Sequence, residues 1–139
     1  MTTKYVEHLN YVGNKPNRQH TSDAGYDLVA NEDKWLLFRK PTLVKTGTSI
    51  QLPRNTVGDI RPRSGNSKRG IDVAYGTVDS GYTGEIKVNM RSWFHHVKKG
   101  DRIAQLVVLP LVHFTDVVEK KTLKPTDRGD NGFGSTGVK

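Results

Sequence analysis

Glycine and proline interrupt this chain so often that few stretches could hold a helix of ordinary length. That punctuation steers the fold toward short strands joined by turns. The 14 glycines and 6 prolines fall along a chain of 139 residues. Residues 26–40 escape interruption, but their apolar residues show no helical spacing. Residues 85–99 also escape it, and there Ile86, Val88 and Met90 alternate with Lys87, Asn89 and Arg91. A period of two belongs to a half-buried strand. Further strands are expected at Lys4–Leu9, Ala24–Ala30, Thr42–Leu52, Val57–Arg63, Ile71–Val73, Ile103–Pro110 and Val112–Val118. Turn clusters separate them at residues 31–33, 53–55, 65–67 and 98–101. Many short strands with regular turns predict an all-β barrel or jelly roll, with at most a very short helix.

The length suits one domain. Hydrophobic residues make up 34% of it, which suggests that some surface is hidden by association with other copies. No cysteine is present, so disulfides and thiolate metal sites are excluded. No apolar run approaches the roughly 20 residues of a membrane helix. The opening Met1–Tyr5 lacks a signal-peptide core. A soluble, cytoplasmic protein is expected, in the host cytoplasm for a viral source. The formal net charge of +8 attracts polyanions, although basic charge also serves solubility alone. It leaves open a second role in binding nucleic acid or a regulatory protein. Residues 126–139 carry four glycines and little apolar surface beyond Phe133, too little to offset the entropy of ordering. The chain thus divides into a β-domain at 1–125 and a flexible arm at 126–139.

Four constellations carry chemistry. Arg61 to Lys68 gathers arginines, a lysine, hydroxyls and Gly65, which suits an oligophosphate cradle as well as a solvated basic turn. Gly76 to Glu85 brackets Asp79 and Tyr82 with glycines and reads as a hairpin with a carboxylate and an aromatic ring at its tip. A carboxylate held there is a natural general base for water, but such turns are also common for purely structural reasons. Asp27 lies between apolar residues in an expected strand, where aspartate is disfavoured. Magnesium held through water, or a structural hydrogen bond, would explain it. Arg128 to Gly137 offers an arginine, one aromatic face and dense glycine, without the spacing of a P-loop. His95 and His96 are adjacent, so on a strand they point to opposite faces and do not suggest a zinc pair.

In chain order, Ala24–Leu28, Arg63–Gly65, Val78–Gly84, Gly100–Leu106 and Arg128–Gly137 resemble the five motifs of the trimeric dUTPase family, a match that runs from Asp23 to Gly137. The resemblance implies a distorted jelly-roll barrel, a homotrimer with shared active sites, Mg²⁺ as cofactor, and hydrolysis of dUTP to dUMP and pyrophosphate. It implies that Asp79 deprotonates the attacking water, and that Asp27 holds magnesium through its waters. Arg63, Ser64, Gly65 and Gln105 would bind phosphate oxygens. Tyr82 would pack under the deoxyribose. The backbone from Val73 through Gly76, Thr77 and Val78 would read the uracil edge. Arg128 would clamp the γ-phosphate, with Phe133 over the uracil and Gly134 and Ser135 closing the site from a neighbouring subunit. Asn66 departs from the apolar residue that many relatives carry after Ser-Gly, which puts the local packing in question. The nearest rival is dCTP deaminase, which shares the fold but reacts at the base amino group. A rival of another class is a non-enzymatic binding module with a basic surface.

Overall fold

The computed structural model describes residues 8–132. Its elements run β1 (Asn10–Gly13), β2 (Tyr26–Val29), β3 (Lys34–Leu37), β4 (Thr42–Gln51), β5 (Thr56–Arg61), α1 (Ser64–Lys68), β6 (Asp72–Val73), β7 (Gly76–Asp79), β8 (Glu85–Arg91), β9 (Phe94–Val97) and β10 (Arg102–Pro110). One sheet has the order β1-β4-β8-β6, a second β2-β10-β5-β7, and β3 with β9 makes a two-stranded ribbon. The fold is jelly-roll-like and almost entirely β, but the sheets do not close into a barrel.

Alternation explains how the sheets face each other. Val44 and Ile50 from β4, with Ile86, Val88 and Met90 from β8, meet Leu28, Ile60, Val78 and Leu106 of the other sheet in one buried cluster. Two buried hydroxyls in β4 are satisfied: Thr46 Oγ1 donates to the Ile86 carbonyl at 2.6 Å, and Thr48 Oγ1 to the Asn14 carbonyl at 2.8 Å. The pairing of β4 with β8 slips between Lys45 and Ser49. Gly47 adopts φ +66° in this slip, and its N–H donates to Glu85 Oε2 at 2.9 Å. An irregular ladder with glycine at positive φ is how a strand bends without losing its core face.

The structure corrects two expectations and leaves one untested. The strand expected at Lys4–Leu9 falls mostly outside the described residues, and the first strand is Asn10–Gly13. Val112–Val118 is not a strand: from Leu111 to Asn131 every residue is exposed and no ladder forms. Its apolar side chains have no sheet of this chain to pair with. The expected hairpin around Asp79 is a crossover, because β7 pairs with β5 whereas β8 pairs with β4 and β6. Likewise β6 and β7 lie in different sheets, so Val73 to Tyr82 is no simple hairpin. The ribbon strands β3 and β9 were not anticipated. Their outer face carries Trp35, Leu37 and Phe94, so apolar residues occupy both faces and alternation is masked.

Candidate active site

Strand register assembles the first half of the site. Gln105 of β10 pairs with Asp27 of β2 on one side and with Arg61 of β5 on the other. Their neighbours Leu28, Leu106 and Ile60 point into the core, so these polar side chains share the opposite face. Asp27 is therefore a residue of the outer face, which resolves its presence in a strand. Beyond β5 the chain bends into α1, whose N-cap is Arg63. The Arg63 carbonyl accepts the N–H groups of Asn66 and Ser67, both at 3.1 Å. Arg63 Nε in turn donates to Asp27 Oδ1 at 3.2 Å, and Arg102 Nη1 lies 3.9 Å from Asp27 Oδ2.

The result is a polar cavity of about 430 Å³ lined by Asp27, Arg63, Ser64, Gly65 and Gln105, with Gln19, Asp23, Ala24 and Gly25. Gln105 is oriented by donating from Nε2 to the Pro62 carbonyl at 3.0 Å. Gly25 is required by its close approach: a Cβ there would stand 2.2 Å from Gln105 Oε1. Gly25 and Asp23 were not singled out as site residues from the sequence; a glycine just before the strand of Asp27 was the available signal. Asn66 also finds its reason. Its Nδ2 donates to the Arg102 carbonyl at 3.2 Å, a bond that an apolar side chain could not make.

Asp79 ends β7 and is exposed. The turn that follows closes with the Tyr82 N–H donating to the Asp79 carbonyl at 3.0 Å. Tyr82 Oη donates to the Glu85 carbonyl at 2.8 Å, which fixes the ring over this turn. Gly76, Thr77, Val78, Asp79 and Tyr82 line a second, more apolar concavity of about 320 Å³ with Ile60, Glu85, Ile86 and Lys87. Val73 lines neither cavity; it is buried in the core and pairs with Met90. Arg128 is exposed, and its Nε donates to the Asn131 carbonyl at 2.7 Å. Phe133, Gly134 and Ser135 lie outside the described residues.

The two concavities share no residue. On β5, Gln105 sits opposite Arg61 whereas Asp79 sits opposite Val57. At a rise of about 3.3 Å per residue and a spacing of about 4.8 Å per strand, Asp79 is on the order of 15 Å from Gln105 and 20 Å from Asp27. Within one chain, the cradle and Asp79 do not meet.

Fold and cavity together define an all-β protein with a polar cradle, lined by one arginine and two aspartates, on the outer face of one sheet. The chain belongs to the dUTPase family: the family model matches residues 13–137. It is 45% identical over 128 residues to the deoxyuridine 5'-triphosphate nucleotidohydrolase of Clostridium tetani, covering 88% of each chain. It is 41% identical over 127 residues to the Variola virus protein of the same name, covering 89% of this chain and 86% of that one. Among solved structures it resembles the Staphylococcus bacteriophage 80alpha dUTPase with dUPNHPP, with a TM-score of 0.86, 26% identity, and coverage of 96% of this chain and all of that one.

Proposed function

We propose that this protein hydrolyses dUTP to dUMP and pyrophosphate, with water attacking the α-phosphorus. The observation that carries this reading is the single cavity shared by Asp27, Arg63, Ser64, Gly65 and Gln105 in a chain of the dUTPase family. A triphosphate repels its nucleophile, so the reaction needs positioning and neutralised charge more than covalent chemistry. Arg63 supplies a guanidinium fork, and Ser64 and Gly65 at the opening of α1 supply a hydroxyl and backbone N–H groups. Asp79 is the base that orients and deprotonates water. Tyr82, held by its bond to the Glu85 carbonyl, packs under the deoxyribose and leaves no room for a 2′-hydroxyl. The backbone of Gly76, Thr77 and Val78 reads the uracil edge, with Val73 as its buried anchor. Hydrogen-bond readout rejects the wrong base more strongly than apolar fit does. Arg128 clamps the γ-phosphate, and Phe133, Gly134 and Ser135 cover the base.

The separation of Asp79 from the cradle favours a site built from neighbouring copies, as a homotrimer provides. The exposed apolar residues support such association. Leu111, Val112, Phe114, Val117, Val118 and Leu123 are all exposed on a segment without ladder partners. Surface of that kind calls for a cover, and an identical chain supplies it with closed symmetry. The arm from residue 126 then closes over a neighbour's site.

Magnesium suits the donor set. No group of three or more His, Cys, Asp or Glu that could hold a metal occurs among the described residues. Magnesium asks for less than that, because it keeps its waters and uses one or two carboxylates plus substrate phosphates. Asp27, lining the cradle beside Asp23, would hold it through water. When bound, the ion offsets triphosphate charge and improves pyrophosphate as a leaving group. No helix among the described residues is long and apolar enough to cross a membrane. The nucleotide substrate leads us to place the activity in the cytoplasm.

The test is pyrophosphate release from dUTP, dTTP, dCTP and UTP, with and without magnesium. The reading expects release from dUTP alone, dependent on the metal. Ammonia release from dCTP would instead favour the deaminase that shares the fold.

A further inference from the structure

Behind the cradle lies a second polar cavity, of about 420 Å³, that the proposed reaction does not use. Its walls carry Arg63, Asn66, Arg69, His95, Asp101 and Arg102 above a floor of buried apolar side chains. Three guanidiniums and an imidazole there face one carboxylate. Arg63 and Arg102 both look to Asp27, so a single carboxylate outside this cavity serves two cations. Arg69 takes part in no ion pair among the described residues. Asp101, whose Oδ2 accepts the Lys98 N–H at 2.9 Å, offsets one guanidinium and Asp27 a second, which leaves the third in excess. The cavity therefore holds positive charge that the protein itself does not balance.

The walls are tied together. Asn66 Nδ2 donates to the Arg102 carbonyl, and the Arg69 N–H donates to the Asn66 carbonyl at 3.0 Å. His95 points inward from β9, on the same face as Val97 and opposite the stacked pair of Trp35 and His96. Burial lowers the basicity of His95, and the positive charge of Arg69 lowers it further; His96 adds to this and Asp101 opposes it. An imidazole in that field gains from an anion placed between it and the guanidiniums.

We propose that this cavity is a second oxyanion site, which takes a compact phosphate-class anion with Arg69, Arg102 and His95 as its ligands. Inorganic pyrophosphate and orthophosphate are the two sources of that chemistry. In one respect the proposal rests on the dUTPase reading, which makes pyrophosphate a product released next to this site. Arg63 lines both cavities. An anion in the second therefore draws Arg63 and Arg102 away from Asp27 and loosens the cradle. Pyrophosphate would restrain turnover from outside the substrate site, by a component that saturating dUTP does not overcome.

The experiment is calorimetric titration of inorganic pyrophosphate, and separately orthophosphate, into the full-length protein whose cradle is filled with a non-hydrolysable imido analogue of dUTP. The expected result is one further anion per chain. Arg69→Glu should weaken it at least about 10-fold, the scale of one lost charge-assisted hydrogen bond. Arg69→Lys should lose less, and analogue affinity should be kept in both. The tighter of the two titrants identifies the source. Analogue-loaded protein that takes up neither anion, or Arg69→Glu that binds like wild type, would overturn the proposal. Failure of the analogue to bind would count against the dUTPase reading instead, and the Arg69 comparison on unliganded protein would still decide this site.

Discussion

Aspartate is a poor strand former, yet Asp27 lies within a strand and is held there by two arginines. The anomaly was visible in the sequence, but its resolution needed the register that sets Asp27 beside Gln105 on the non-core face. Asp79 is the opposite case: it ends its strand and is exposed. Asp79→Asn is expected to lower kcat at least about 100-fold while dUTP binding is largely kept, as measured by steady-state kinetics and analogue titration. An active Asp79→Asn enzyme would refute its role as base. Gly25 makes a different demand. In Gly25→Ala the new methyl displaces Gln105 from its bond to the Pro62 carbonyl. The KM for dUTP should rise roughly 10-fold with thermal stability little changed, because one hydrogen bond of the cradle is lost and the core is untouched. Most cradle residues were legible as residue types. The role of Gly25 was not, because the only signal was a glycine just before the strand, and its close approach to Gln105 appears only in three dimensions.

At the scale of elements, strands with one dry face declared themselves. The alternation of β8 is plain in the sequence. The ribbon of β3 and β9 was hidden by apolar residues on its outer face, and residues 112–118 carry strand-like composition without a strand partner in this chain. The crossover between β7 and β8 was hidden too, since glycine-rich turns of a hairpin and of a sheet-to-sheet passage look alike. Glu85 links that crossover to the slip in β4, with its carboxylate on the Gly47 N–H and its carbonyl on Tyr82 Oη. Glu85→Ala should cost about 1–3 kcal/mol in urea unfolding. The Tyr82 bond should survive, because its acceptor is the main-chain carbonyl, which alanine keeps. His95 bears on pH. Its basicity in the fold lies below the ordinary value of 6.5, so the folded chain binds fewer protons than the unfolded one. Its contribution to stability is full above pH 6.5 and declines as pH falls below that. His95→Gln should flatten this part of the stability profile, read by denaturant melts across pH 5 to 8. Deletion of the residues after Asp127 should leave a folded protein with little turnover, by circular dichroism and pyrophosphate release. Wild-type turnover would show the arm to be dispensable.

At the scale of the molecule, the separation of parts matters most. The sequence brings the cradle and Asp79 near each other in the chain, but the sheet sets them on the order of 20 Å apart. Association between copies was expected from the low apolar content and from the family resemblance; the structure adds a segment of exposed apolar side chains that one copy leaves uncovered. Part of the +8 charge lies around the second cavity, where three arginines face one aspartate. Subunit complementation tests the shared site directly. Asp79→Asn chains and Arg63→Ala chains, each inactive alone, are unfolded together and refolded as an equal mixture. If one chain supplies the cradle and another the base, random assortment restores about a quarter of wild-type dUTP turnover. A mixture no more active than either variant alone would contradict a site divided between chains.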